Sequence, residues 1–207
     1  AASDVYKRQI REQARKGWNE ALGRIRVEGG TDEQQTVFYT ALYHALLHPN
    51  LVSDVNGEYP LMERSGETGV TDGERYTVFS LWDTYRNLHQ LLTLVYPERQ
   101  LEMVRSMVGM YREWGWLPKW ELYGRETFTM EGDPAIPVIV DTWMKGLRDF
   151  DMDAAYEAMR KSATTPGAQN RMRPDIDPYI EKGYVPLGGY SRDLSGDNSC
   201  LLYTSDA

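Results

Sequence analysis

Trp82-Asp83 followed by Arg86 puts an indole, a carboxylate and a guanidinium within one helical turn. A carboxylate accepts hydrogen bonds from hydroxyl groups, and an indole offers a flat apolar face. That pairing suits a polar ring with one apolar side, such as a pyranose. The surrounding stretch, 76–86, reads as a short strand-like alternation that turns into a helix at the Ser80 to Asp83 corner. Ser80 and Asp83 also fit a capping box with Asp in place of Glu. Spacing alone therefore leaves two readings open, a helix cap and a ligand-binding corner. A cap needs neither Trp82 nor Arg86, which favours the corner.

A second cluster has the same chemistry: Trp114, Trp116, Trp120, Glu121, Tyr123, Arg125, Glu126, Glu131 and Asp133. Some of its tryptophans are expected to plug the core beneath a loop. The candidate substrate-binding residues are Asp83, Trp82, Arg86, Trp120, Glu126 and Asp133. Two metal-like spacings lead nowhere. His44 and His48 share a helix face, but Ala45 breaks the metalloprotease pattern and no third ligand is near. Asp149, Asp151 and Asp153 imitate half a calcium loop, yet Ala154 and Arg160 stand where that loop needs Gly and Glu. Asp151 reads better as the N-cap of the following helix, with Asp153 facing its dipole.

The elements that must position these groups are mostly helical. Apolar residues three and four apart predict a helix over 10–27, ended by Gly29-Gly30. Thr31 and Gln34 form a capping box for the next helix, which stops before Pro49, so the two make an antiparallel hairpin. Asn56-Gly57 signals a tight turn in a small β excursion, and 63–75 reads as a loop or ordered excursion. One helix is predicted from Leu81 to Val95. Pro97 starts the next, and 115–132 reads as irregular. Pro134 opens another helix, and Asp151 caps one running to Ala163. Residues 164–199 show no clear periodicity. This gives an all-α chain of about six helices in hairpins, with long loops on alternate connections, as in an (α/α) toroid whose loops gather at one end.

A formal charge of −8 argues against nucleic-acid or anionic-membrane binding, because phosphate neutralisation needs clustered Lys and Arg. No apolar run is long enough to span a bilayer. The two ends are unusual. Asp4 to Gln9 can be encoded by GAT GTG TAT AAG AGA CAG, and Cys200 to Ser205 by its shifted reverse complement. The pair resembles the mosaic-end adapter of transposase-based sequencing libraries. Residues 1–9 and 200–207 are therefore expected to be adapter-derived, with 10–199 the genuine part of a truncated domain. The one cysteine, Cys200, falls in the excluded end, which leaves no thiolate nucleophile or disulfide.

Several segments resemble the catalytic domain of glycoside hydrolase family 92. They are Phe38-Tyr39-Thr40-Ala41-Leu42-Tyr43-His44, His48-Pro49-Asn50, Ser53-Asp54, Asn56-Gly57-Glu58-Tyr59, the 76–86 stretch, Leu117-Pro118-Lys119-Trp120, Gly132-Asp133-Pro134 with Pro137-Val138-Ile139, and Lys145-Gly146. The resemblance implies a calcium-dependent, exo-acting, inverting α-mannosidase acting on mannose-containing glycans, α-1,2-linked by expectation. The expected fold is about half of an (α/α)6 toroid, completed by the rest of its own polypeptide. It implies that Asp83, beside Trp82, holds the non-reducing mannose. It also implies that the catalytic acid and base, and most calcium ligands, lie downstream; Gly196-Asp197-Asn198 only superficially matches the base segment. The piece alone is expected to be inactive, and the parent secreted, periplasmic or cell-surface. Two other readings are another (α/α)6 glycosidase, such as a trehalase or glucoamylase relative, and a helical-hairpin interaction module. The second would place binding residues on helix faces, whereas the aromatic and acidic residues here gather in loops.

Overall fold

The structure, a computed structural model, describes residues 2–130 and 132–186. Glu131, Gly196-Asp197-Asn198 and the segment 200–207 lie outside the described residues. The chain forms two compact units, Ala1–His48 and Pro49–Ala207.

The first unit is a pair of helices, α1 (Ala2–Leu22) and α2 (Asp32–Ala45). α1 begins upstream of residue 10 and ends well before Gly29. At its end the Gly23 N–H still reaches Asn19 O at 2.9 Å, but Arg24 and Ile25 make only long 3.4 Å bonds three residues back. Gly29 and Gly30, at φ 80° and 73°, instead steer the chain into the α2 cap. That cap is the expected box: Gln34 N–H donates to Thr31 Oγ1 at 3.2 Å, and Thr31 N–H to Gln34 Oε1 at 2.9 Å. Trp18 packs edge-on against Tyr43, ring centres 4.5 Å apart, and joins the two helices. Leu42 and Leu46 are the only buried side chains among the described residues of this unit.

The second unit is built on α5 (Pro97–Trp114), which contacts α4 (Leu88–Val95), α6 (Ala135–Met144) and α7 (Met152–Thr164). Its buried face carries Met103, Val104, Met107, Val108 and Met110. Pro97 starts it at the first helical position, as expected, and Gly115 ends it in the left-handed region at φ 93°. Asp151 caps α7 by accepting Ala154 N–H at 3.0 Å. An eighth helix, α8 (Ile176–Lys182), was not foreseen; seven residues are too few to show a helical period.

The helix expected over 81–95 is two. α3 (Leu81–Thr84) stops, and α4 starts afresh after Asn87 at φ −156° and ψ −18°. Tyr85 O, freed by the break, accepts Gln90 Nε2 at 2.8 Å. The apolar spacing runs straight through this break, so only the local bonds reveal it.

The first excursion is an ordered β segment, as one reading had it, whereas 115–132, expected to be irregular, carries two strands. β1 (Asn50–Leu51) pairs with β4 (Tyr76–Thr77), and β2 (Glu58–Pro60) with β3 (Thr68–Val70), both antiparallel. β5 (Phe79–Ser80), β6 (Trp120–Leu122) and β7 (Arg125–Glu126) form an antiparallel sheet in that order, which joins the loop before α3 to the loop after α5. Asn56-Gly57 does form a turn, closed by Gly57 N–H to Asp54 O at 2.9 Å, but it precedes β2 rather than joining β2 to β3. The β6–β7 turn is Tyr123-Gly124, with both residues at positive φ, 48° and 81°. Two positive-φ residues match the right-handed twist of a hairpin. Tyr123 is held there by its N–H to Thr77 Oγ1, 2.9 Å.

His89 ties these helices together under the corner. Its Nε2 lies 2.9 Å from Thr84 Oγ1 and its Nδ1 2.9 Å from Gln100 Oε1. Gln100 Nε2 donates onward to Thr142 Oγ1 at 2.9 Å. Gln100 offers Nδ1 only an acceptor, so Nδ1 carries a proton. Burial pushes its pKa down to about 4, against smaller upward pulls from Gln100 and Asp141. The unfolded histidine titrates near ~6.5. Between those values the unfolded chain binds more protons, so stability falls as pH falls from ~6.5 toward ~4. The expected loss is roughly 3 kcal/mol across that window. Thermal melts of wild type and His89→Gln from pH 7 to 4 check it; identical acid slopes would remove His89 as the cause.

Candidate functional site

The corner at 76–86 is held from below by charged groups that are out of solvent. Arg75 is buried and pairs with Glu113, Nη2 to Oε2 at 2.9 Å, while its Nη1 donates to Ser106 O at 3.2 Å. Glu113 also accepts Tyr59 OH at 3.0 Å and Met62 N–H at 2.8 Å. Burial, with the Glu113 charge next, raises the Tyr59 pKa. Tyr76 N–H donates to Ser106 Oγ at 2.9 Å, which fixes β4 to α5.

Glu121 is the keystone of the corner. It is fully buried on β6. It accepts Thr77 Oγ1–H at 2.8 Å, Val78 N–H at 3.0 Å and Gly124 N–H at 2.6 Å. Burial raises its pKa, and these bonds pull it back only in part. They hold Val78 at φ 61°, a backbone region that a β-branched residue adopts only under constraint. The kink at Val78 is what turns the chain from β4 into β5 and then α3.

At the tip, Trp82 is half-buried while Asp83 and Arg86 are exposed. The Arg86 guanidinium sits 4.6 Å from the Trp82 ring centre and 5.1 Å from that of Tyr85. The capping reading of Ser80 and Asp83 does not hold. Ser80 makes no side-chain cap; its hydroxyl donates instead to the Asp83 carboxylate. That bond orients Asp83 and leaves its other lone pairs to solvent. Trp120 lies across the strand pair, opposite Ser80, with a buried Nε1 that has no partner among the described residues.

Glu126 and Asp133, expected to face substrate, are buried, at 6% and 8% exposed. Glu126 accepts Lys119 N–H at 2.7 Å, Trp120 N–H at 2.9 Å and Phe128 N–H at 2.9 Å. Asp133 accepts the Ser162 hydroxyl from α7. Burial raises both carboxyl pKa values; Lys119 opposes it at both, and Arg173 also at Asp133. Burial in turn lowers that of Lys119. These groups frame the loop. The structure thus brings Trp82, Asp83 and Arg86 together, with Trp120 adjacent, and turns Glu126 and Asp133 inward. Within the second cluster nothing in the sequence singles out Glu121, because its partners Thr77 and Val78 lie 44 and 43 positions away.

Asp149 pairs with Arg105 at 2.6 Å, and Asp151 pairs with Arg112. Among the described residues no three His, Cys, Asp or Glu side chains converge.

The chain has similar proteins in three comparisons. It is 29% identical over 189 residues to an uncharacterized secreted glycosidase of Arthroderma benhamiae, covering 88% of this chain and 20% of that protein. Among solved structures, the family GH92 inverting mannosidase BT2199 of Bacteroides thetaiotaomicron superposes with a TM-score of 0.77 at 35% identity, over 86% of this chain and 25% of that one. The α-mannosidase BT3965 of the same organism gives 0.79 at 34% identity, over 87% and 24%. BT3965 is also known in complex with mannoimidazole. The chain thus spans about a quarter or less of the length of these relatives. The glycosyl hydrolase family 92 catalytic domain matches residues 3–200, nearly the whole sequence, and the chain belongs to that family.

Proposed function

We propose that this chain is the sugar-positioning part of an exo-acting, inverting α-mannosidase, in which Asp83 holds the non-reducing mannose. The observation that carries this reading is the exposed Asp83 carboxylate beside half-buried Trp82, on a corner braced by the buried Glu121. Asp83 would accept hydrogen bonds from sugar hydroxyls, and the indole would pack on the apolar side of the ring. Arg86, stacked on Trp82, would keep that indole in place. The likeness to BT2199 and BT3965 supports mannose as the sugar, and the likeness to BT2199 supports inversion as the outcome. The preferred linkage is α-1,2, and the helices form about half of an (α/α)6 toroid.

Inversion needs an acid on the leaving oxygen and a base that activates water on the other face, their carboxyls ~6.5–9.5 Å apart. Glu121 and Glu126 are buried, and each carboxylate already accepts backbone amides that brace the sheet, so both serve the frame rather than the sugar. The acid and base would therefore come from elsewhere in the parent polypeptide. Calcium of the parent enzyme, held mainly by residues outside this chain, would polarise sugar hydroxyls there. Residues 10–199 are the genuine part of the domain in this reading. No described helix is long and apolar enough to cross a membrane. The secreted relative supports export of the parent.

Proton NMR of an α-mannoside reaction tests the proposal. The parent polypeptide should release mannose first as the β-anomer, and the chain alone should release none. Release of the α-anomer by the parent, or turnover by the chain alone, would refute it.

A further inference from the structure

The Asp83 carboxylate is carried by a helix too short to hold it still. α3 is a single turn, Leu81–Thr84, closed by Tyr85 N–H to Leu81 O at 2.9 Å. Asp83 itself is exposed, and an exposed aspartate turns about two side-chain bonds. That freedom would have to be given up each time a ligand binds to the carboxylate.

Two neighbours are placed to restrain it, and only one does. Arg86 lies over the Trp82 and Tyr85 rings, at 4.6 and 5.1 Å, and makes no ion pair with Asp83. The Ser80 hydroxyl donates to Asp83 Oδ2, and among the described residues nothing else bonds to that side chain.

Ser80 is in turn fixed from the other side. It ends β5 directly opposite Trp120, while Phe79 is opposite Glu121. Opposed residues of an antiparallel pair present their side chains on one face, and the next pair presents them on the other. Ser80 therefore shares a face with Trp120, and Phe79 shares the fully buried face with Glu121. Ser80 N–H reaches Val78 O at 3.2 Å, and Leu81 N–H reaches Lys119 O at 3.3 Å. The hydroxyl is placed by the sheet, and it passes the geometry of the sheet to the carboxylate. With one site of Oδ2 filled by a fixed donor, Oδ1 and the rest of Oδ2 are already aimed when a sugar arrives.

We propose that Ser80 is a positioning residue for sugar binding that acts only through Asp83. It couples the sugar-holding carboxylate to the β5–β6 sheet instead of to the one-turn helix that carries it. The inference rests on the function proposed above.

Steady-state kinetics of the parent enzyme on an α-mannoside test it, with Ser80→Ala, Ser80→Thr, Asp83→Ala and the Ser80→Ala, Asp83→Ala double variant. Ser80→Ala should raise KM about three- to tenfold, the effect of releasing one side chain that binding must then order again. Its kcat should stay within about twofold, because a contact made equally in substrate and transition state acts on KM alone. Ser80→Thr keeps the hydroxyl on a residue that suits a strand, and should return KM to within about twofold of wild type. On top of Asp83→Ala, Ser80→Ala should do nothing more, since its effect passes through the carboxylate already removed.

A wild-type KM for Ser80→Ala, a KM that Ser80→Thr leaves high, or a kcat loss as large as the KM change would overturn the role. So would an equal further loss in the Asp83→Ala background, which is what a merely structural serine would give. Asp83→Ala separates the two ideas. If that variant alone has wild-type kinetics, the mannose-holding function fails; if it loses activity while Ser80→Ala does not, only the role of Ser80 fails.

Discussion

Glu121→Ala is expected to lower the unfolding free energy by about 3–5 kcal/mol. The carboxylate is fully buried and accepts three donors: the Thr77 hydroxyl, the Val78 amide and the Gly124 amide. Each buried donor left without an acceptor costs ~1–3 kcal/mol, and neighbours in one network do not simply add. Val78 also loses the bond that keeps it at φ 61°, so the corner would relax out of its kink. Glu121→Gln should cost less than Ala. Burial already raises the Glu121 pKa, so a neutral isostere gives up part of its bonding but avoids a desolvated charge. Denaturant midpoints decide it, with the half-exposed Leu122→Ala on the same strand as a control near ±0.5 kcal/mol. A loss below about 1 kcal/mol for Glu121→Ala would mean that the sheet, and not its carboxylate, holds the corner.

In the parent enzyme, Asp83→Ala should lower kcat/KM by roughly 10²–10³-fold with little change in stability. Hydrogen bonds from sugar hydroxyls to a carboxylate are worth ~1.5–3 kcal/mol each. Losing two of them, partly replaced by water, gives ~3–4 kcal/mol, or a factor of ~10²–10³. Stability should move by under about 1 kcal/mol, because Asp83 is exposed and caps nothing. A variant with normal kinetics and a large loss of stability would reverse the assignment and leave Asp83 as a brace for Ser80.

Much of the frame was legible because it depends on neighbours a few residues apart. The Thr31–Gln34 box, the Asp151 cap and the Pro97 start are local bonds, and they appear as expected. The break at 85–87 was not legible, since the apolar spacing continues through it while Gln90 and His89 rebond the turn. The β6–β7 hairpin was missed because Tyr123-Gly124 is not one of the usual turn pairs. Its amide partners, Thr77 and Glu121, complete the turn only in three dimensions. The same blindness explains Glu126 and Asp133. A sequence shows that a carboxylate is present among tryptophans, but not whether backbone amides, as at Glu126, or a hydroxyl from another helix, as at Asp133, already engage it. Trp82, Asp83 and Arg86 do come together, because residues up to four apart at a strand-to-helix corner fall within about one turn, and the two charged ones are exposed.

The bonds that brace the corner span long stretches of chain: Val78 to Glu121 is 43 positions apart, Met62 to Glu113 is 51, and Glu63 to Glu126 is 63. Closing such loops must wait for their far ends, and non-local contacts form slowly. On the ribosome the 76–86 segment therefore emerges long before the residues that shape it. Until Glu121 and Gly124 have been made, Val78 has no reason to adopt its kink, and the nascent chain carries the corner only as an unformed loop. Its aromatic side chains are exposed during that interval, and folding of the binding surface is gated by synthesis of the hairpin that follows α5.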